Sequence, residues 1–174
     1  MPMKLSPDVP LPDAEVLLQL ESQSRKQGSG LTQADLIGEW RLVQVWGKGK
    51  REPTALSSAL LRGLGARLDI APQEGEQAAN ARPLRLKNSV RLAGLTLCFE
   101  GQGELRGKRP LLTFWFEQVE LRRGSFTLFR RNLARPRASR LPFFALIAAD
   151  RGPGRENWLA ARGRGGGLAL WTLG

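Results

Sequence analysis

The stretch GEWRLVQVW at residues 38–46 decides the fold class, because here the apolar residues change from helical spacing to alternation. In an extended strand, Trp40, Leu42 and Trp46 lie on one face, with Gln44 interrupting it. Short strand-forming segments follow, separated by glycine, proline and charged turns. Together with the first strand, they predict nine strands, the others being 66–71, 84–92, 95–105, 111–121, 125–133, 141–149, 157–162 and 168–173.

The turns between these segments are short, as at 123–124 and 165–167, so neighbouring strands are expected to pair antiparallel. We therefore predict an all-β fold with flanking helices, in which about eight or nine strands form a single antiparallel up-and-down barrel. A barrel of about eight strands has room for packed side chains or for one small ligand. The sequence leaves these two alternatives open.

The region before the first strand predicts a helix at 12–27, with apolar residues at helical spacing and Gly28 as its stop signal. Residues 1–11 contain three prolines and are expected to be disordered. A short helical turn is expected at 33–37. A second helix should begin at Thr54 and a flexible loop should span 73–82, all within one domain at 12–174.

The composition argues against common catalytic chemistry. The chain has no His, no Tyr and one Cys, which removes the Ser-His-Asp and Cys-His systems and the usual imidazole metal ligands. We therefore predict a protein that is not an enzyme and needs no metal or cofactor. Cys98 lies within a strand, where a small buried hydrophobic residue is the favoured interpretation and a chromophore attachment point the alternative.

The net charge of +11 favours polyanionic partners, either an anionic membrane surface or nucleic acid. The alternative, which explains the charge equally well, is a GC-rich genome, in which arginine codons are frequent. The densest positive patch brackets a loop, where it either meets lipid head groups, at about 1 kcal/mol per charge, or is simply solvated. The patch comprises Arg130, Arg131, Arg135, Arg137 and Arg140.

Targeting signals are absent from the sequence pattern. The N-terminus lacks the basic and apolar regions of a signal peptide, and no apolar run approaches the length of about 20 residues that spans a bilayer. We expect a cytoplasmic protein that is at most peripheral on a membrane.

Two segments carry a family resemblance. LIGEWRL at 36–42 resembles the Gly-x-Trp opening of lipocalin-like barrels, and RGRGGGLALW at 162–171 resembles the closing segment of the plastid lipid-associated proteins, also called fibrillins. The resemblance implies a lipocalin-like (calycin) barrel over 36–174 in a cyanobacterial relative. It also implies binding of a lipid, quinone or carotenoid, and association with thylakoid membranes or lipid bodies. The family commonly has an acidic residue shortly before the closing arginine, and 157–161 offers none.

The resemblance to lipocalin-like barrels also implies a role for one pair of residues. Trp40 and Arg162 are expected to close one end of the barrel, with the guanidinium stacked on the indole, a contact of about 0.5–2 kcal/mol.

Trp115 must face away from its two Phe neighbours, and either face is a candidate cavity wall, with plain core packing as the alternative. If the barrel encloses a cavity, its expected wall residues are Leu42, Leu97, Trp115 and Phe144.

Four functions remain open at this point. The first is a carrier for a lipid or isoprenoid-type ligand that docks on anionic membranes. The others are a bilin-lyase-like chromophore-handling barrel, a basic RNA-binding protein and a membrane scaffold with a filled barrel. Nucleic acid is the less expected partner, since the sequence has no aromatic–basic recognition motif and no Tyr for base stacking.

Overall fold

A computed structural model describes residues 10–52, 66–73 and 83–174, which form two helices, a short 3₁₀ turn and nine strands. The helices are α1 (Ala14–Gln27) and α2 (Gln33–Leu36), and the 3₁₀ turn is Ala138–Arg140. The strands are β1 (Gly38–Trp46), β2 (Arg67–Pro72), β3 (Leu84–Leu92), β4 (Leu95–Arg106), β5 (Leu111–Arg123), β6 (Phe126–Asn132), β7 (Phe143–Asp150), β8 (Trp158–Gly163) and β9 (Leu168–Leu173).

These elements confirm the predicted all-β fold with flanking helices. The predicted strands at 38–46, 84–92 and 168–173 match β1, β3 and β9, and the other strands differ from prediction by one or two residues at their ends. Helix α1 begins later than predicted, because Asp13 is its N-cap, accepting a hydrogen bond of 2.9 Å from the Val16 amide. The predicted helix after Thr54, residues 74–82 of the predicted loop and residues 1–9 lie outside the described residues.

All strand pairs are antiparallel, and the sheet order β4-β3-β2-β1-β9-β8-β7-β5-β6 includes an additional β4–β5 pairing. The extra pairing closes a ring of eight strands and leaves β6 outside it. Along one edge of β5, Leu111–Thr113 pair with β7 and Gln118–Arg123 pair with β6. The β5–β6 hairpin is therefore an extension that leaves the ring.

Alternation sorts the side chains into an inner and an outer apolar cluster. Helix α1 packs against the outside, where Leu17 joins the outer cluster. The buried inner cluster consists of Leu36, Trp40, Leu68, Ile70, Leu84, Leu86, Leu112, Phe114, Leu146, Leu159, Ala161 and Trp171. The buried outer cluster consists of Ala14, Leu17, Trp46, Ile147, Ala160, Leu168 and Leu170.

A β-bulge in β1 overturns the predicted shared face of its aromatic residues. The register against β9 shifts between Leu42 and Gln44, and a shift of one residue moves all later side chains to the opposite face. Trp40 therefore packs in the inner cluster and Trp46 in the outer cluster under α1. Gln44, which interrupts the predicted apolar face, follows the bulge and lies opposite Leu170 on the outer face.

A second bulge lies between β4 and β5, where the register shifts after Glu100 and skips Glu117. It places Val119 on the inner face and Glu120 on the outer face, the reverse of simple alternation from Phe116. Gly101 makes this close approach possible, because a Cβ atom there would collide with the Trp115 carbonyl oxygen.

Candidate functional site

One end of the ring contains a cavity of about 250 Å³. Its lining is mostly apolar, as expected for a site that holds an apolar molecule. The lining residues are Leu42, Ala66, Arg67, Leu68, Asn88, Val90, Phe114, Phe116, Phe144, Ala169 and Trp171.

Aromatic rings in mutual contact form one wall of this cavity. Phe114 stacks on Phe144 with ring centroids 5.1 Å apart, and Phe144 meets Trp171 edge-on at 5.3 Å. Phe116 continues the wall from Phe114 at 5.6 Å and reaches Phe99 at 5.4 Å. Stacked and edge-on pairs at these separations are the favourable geometries for aromatic side chains.

The apolar inner face continues from the cavity out onto the hairpin. Val90 of β3 lines the cavity and lies opposite Leu97 of β4. Leu97 in turn lies opposite Leu121 of β5, and Leu121 lies opposite Phe129 of β6. Residues directly opposite each other in antiparallel strands share a face, so these four side chains form one row across four strands. We call them the apolar row.

The apolar row ends in strongly exposed side chains on the hairpin. The exposed fraction is 52% for Phe129 and 75% for Phe126, and both Leu92 and Leu128 are also exposed. All residues of β6 are exposed. Large apolar side chains grouped in this way are unusual on a soluble surface and mark interaction sites.

Cationic side chains accompany the exposed apolar residues. The segment 121–149 contains seven Arg and no Asp or Glu. Two of them, Arg122 and Arg130, donate to the buried Glu120 carboxylate at 2.6 and 2.5 Å. Burial raises the pKa of Glu120, but these hydrogen bonds and charges outweigh it and hold that pKa below its ordinary value.

The predicted arginine patch divides into two groups. Arg130 is occupied by Glu120, and Arg135 lies over the Trp115 ring at 3.9 Å from its centroid. Arg131, Arg137 and Arg140 are exposed and have no ion-pair partner within the described part of the chain. The second group is therefore available to an anionic partner.

The four predicted cavity residues occupy three different places. Leu42 and Phe144 line the cavity, and Leu97 belongs to the apolar row beyond it. The prediction for Trp115 is wrong, because this buried side chain lies on the outer face under Arg135, with its Nε1 3.3 Å from Glu117 Oε1. Its neighbours Phe114 and Phe116 take the inner positions instead.

The predicted closing pair is also wrong. Trp40 is buried and donates from Nε1 to the Leu36 carbonyl at 2.7 Å. The guanidinium above its ring, 5.4 Å from the centroid, belongs to Arg151 and not to Arg162. Arg151 also donates to three carbonyls, those of Ala34, Asp35 and Ile37. Arg151 therefore connects α2 to the closed end of the ring.

Arg162 faces outward and holds α1 against the ring. It follows the inward-facing Ala161 in β8, so alternation directs it to the other face. There it donates from Nε to the Glu21 carboxylate at 2.7 Å, and Arg109 donates to the same carboxylate at 2.8 Å. Burial raises the pKa of Glu21, but the hydrogen bonds and charges of Arg162 and Arg25 lower it to about 2.

Arg151 and Glu21 are not among the residues predicted from the sequence. The signal for Glu21 was its position in α1, four residues after Leu17, on the stripe that packs against the sheet. Nothing in the sequence marks Arg151, which follows β7. Cys98 is buried and lies opposite Glu120 on the outer face, which confirms the predicted burial.

Among the described residues, no helix is long and apolar enough to cross a membrane. Comparison of the chain with protein-family models, curated proteins and solved structures finds no match. The resemblance to the plastid lipid-associated proteins stays a prediction.

Proposed function

We propose that this protein carries an apolar small molecule in the cavity and exchanges it with an anionic membrane surface. The observation that carries the proposal is the apolar row, which joins the cavity wall to the exposed hairpin. The closed ring of eight strands also supports assignment to the lipocalin-like barrels. On the family resemblance alone, we place the exchange at photosynthetic membranes or lipid bodies.

The cavity has the size and lining for an apolar ligand. An apolar cavity of about 150 Å³ stays dry and binds benzene, so a cavity of about 250 Å³ can hold a ring with a short substituent. Moving apolar surface out of water contributes about 25 cal/mol per Å². A larger ligand would extend along the apolar row.

The hairpin has the chemistry of a membrane-docking surface. Phe126, Leu128 and Phe129 offer apolar side chains to the acyl region. Arg131, which has no ion-pair partner among the described residues, offers a cation to anionic head groups. Each such cation contributes about 1 kcal/mol at an anionic surface. A second copy of the chain is a poorer occupant, because it would bring the same arginines against each other.

Vesicle sedimentation tests the docking half of the proposal. We expect binding of the full chain to vesicles of phosphatidylcholine with phosphatidylglycerol, and weak binding to phosphatidylcholine alone. The double substitution Phe126→Ser and Phe129→Ser should abolish binding without altering the unfolding transition, since both side chains are largely exposed. Val16→Ser is the matched control, because Val16 is an exposed apolar residue on α1.

Two results would contradict docking by the hairpin. One is equal binding of the double variant and the unsubstituted protein to anionic vesicles. The other is tighter, base-dependent binding to single-stranded RNA at the same salt concentration, which would favour the RNA-binding alternative.

A further inference from the structure

A single amide side chain interrupts the apolar face of β3 inside the cavity. Asn88 lies on the inner face, directly between Leu68 of β2 and Phe99 of β4. On the same face, the preceding residue is the buried Leu86 and the next is Val90 of the apolar row. Asn88 is therefore placed on the cavity wall, partway between the core and the open end.

The amide of Asn88 has no hydrogen-bond partner within the described part of the chain. Polar side-chain atoms that leave water are almost always paired, since leaving one unpaired costs free energy. A purely apolar ligand that displaced water from this wall would leave the Asn88 amide without a hydrogen-bond partner. A ligand that supplies a partner atom avoids this cost.

The charge around the cavity selects the kind of partner atom. Arg67 contributes to the lining and brings a positive charge close to the cavity, although its register opposite Ser89 places its side chain on the outer face. No acidic side chain is among the lining residues that the structure describes. The Asn88 amide can donate from its nitrogen or accept at its oxygen, and the nearby positive charge favours a ligand atom that carries negative charge. The site therefore favours an acceptor oxygen on the ligand over a donor group.

The aromatic wall selects the body of the ligand. Phe114 and Phe144 are stacked with an interplanar angle of 28°, and Trp171 meets Phe144 edge-on at 73°. A flat ring continues such stacking, whereas a saturated chain offers it only dispersion contact.

We propose that Asn88 is a specificity-determining residue, and that the ligand is a ring-bearing apolar molecule whose carbonyl or carboxylate oxygen accepts a hydrogen bond from the Asn88 side-chain amide. This inference rests on the proposed ligand-carrying function. It narrows the ligand from any apolar molecule to one with an acceptor oxygen beside its apolar body.

Two probes of matched shape test the proposal. Butyrophenone has a ring and a carbonyl, and butylbenzene has the same ring with no oxygen. In titrations followed by NMR, we expect the full chain to bind butyrophenone about tenfold more tightly than butylbenzene, the range for one net hydrogen bond. The Asn88 side-chain amide resonances should shift with butyrophenone and move much less with butylbenzene.

Substitution of the amide gives the second readout. Asn88→Leu should remove the preference for butyrophenone while keeping or increasing the affinity for butylbenzene, because an apolar group of similar size replaces the amide. Ser89→Ala is the matched control, since Ser89 is the next residue on the opposite face of the same strand. 4-Phenylbutyrate, as a third probe, tests the carboxylate form, and tighter binding than butyrophenone would assign Arg67 a share in recognition.

The outcomes separate this inference from the function on which it rests. Binding of both neutral probes with equal affinity, or unmoved Asn88 amide resonances, would overturn the role of Asn88 and leave the carrier function standing. Binding of no probe would overturn both. The amide resonances are read in the unsubstituted protein, so the test stands even if Asn88→Leu does not fold.

Discussion

The two ends of the ring are built from the same alternating strands and differ in what covers the inner face. At the closed end, α2 and Arg151 cover Trp40, and the Trp40 indole and the nearby carbonyls all find hydrogen-bond partners. At the open end, the sheet continues past the ring into the β5–β6 hairpin. None of the described residues covers the inner face where it reaches the surface on this hairpin.

This difference separates stability from function within one sheet. Side chains at the closed end are buried and should control the free energy of unfolding. Side chains of the hairpin are exposed in the folded chain, so they contribute little to unfolding and are free to contribute to binding.

The largest effect is expected from Trp40→Ala, measured by chemical denaturation. Trp40 is fully buried, so its truncation should lower the free energy of unfolding by about 3–5 kcal/mol through lost burial and a remaining cavity. Phe129→Ala at the open end should change it by less than about 0.5 kcal/mol. Equal losses for the two variants would break the distinction between the ends.

A smaller effect is expected from the carboxylate that holds α1. The pKa of Glu21 falls from 4.5 to about 2 on folding, so its contribution to stability is present above the unfolded value and is lost as the pH falls through the folded value. The contribution is about 3 kcal/mol. Acid titration of unfolding should therefore lose this term below about pH 5 in the unsubstituted protein and lack it in Glu21→Gln.

A contrary result for Glu21 is easily recognised. If the two proteins lose stability in parallel between about pH 5 and about pH 2, the ion pair with Arg162 does not hold α1. Arg25→Ala serves as a comparison and should lower the free energy of unfolding less than Glu21→Gln does. Arg25 is mostly exposed, and its ion pair with Glu21 is longer, at 3.1 Å.

The smallest effect is expected from a single hairpin arginine. Arg131→Ala should weaken binding to anionic vesicles by about 1 kcal/mol, roughly fivefold, with unfolding unchanged. Arg130→Ala, at the adjacent residue, is the matched comparison. It should weaken vesicle binding less than Arg131→Ala, because Glu120 already neutralises Arg130. A larger loss for Arg130→Ala would contradict the division of the arginine patch.

The sequence predicted the local structure better than the assembly. Alternation and glycine turns located the nine strands, because those signals are local. The bulges after Leu42 and Glu100 depend on pairing with distant strands, so the faces of Trp46 and Glu120 could not be derived from spacing. For the same reason, the sequence did not show that β6 pairs outside the ring.

The candidate site was predicted in part for the same reason. Leu42 precedes the bulge in β1, and Phe144 precedes the register shift after Leu146 in β7, so the predicted position of both in the cavity wall agrees with the structure. Arg162 was assigned inward because the resemblance pairs it with Trp40, whereas alternation from Ala161 turns it outward toward Glu21. Asn88 carries no signal of its own until pairing places it between Leu68 and Phe99.

The most direct test of the carrier function is mass spectrometry of organic-solvent extracts from the full chain purified from its native host. We expect one class of apolar molecule in near-stoichiometric amount, and its loss from Ala169→Phe, which fills the cavity without adding charge. Ser89→Ala should retain the molecule. An empty unsubstituted protein whose vesicle binding equals that of Ala169→Phe would contradict the account and indicate a membrane scaffold that carries no ligand.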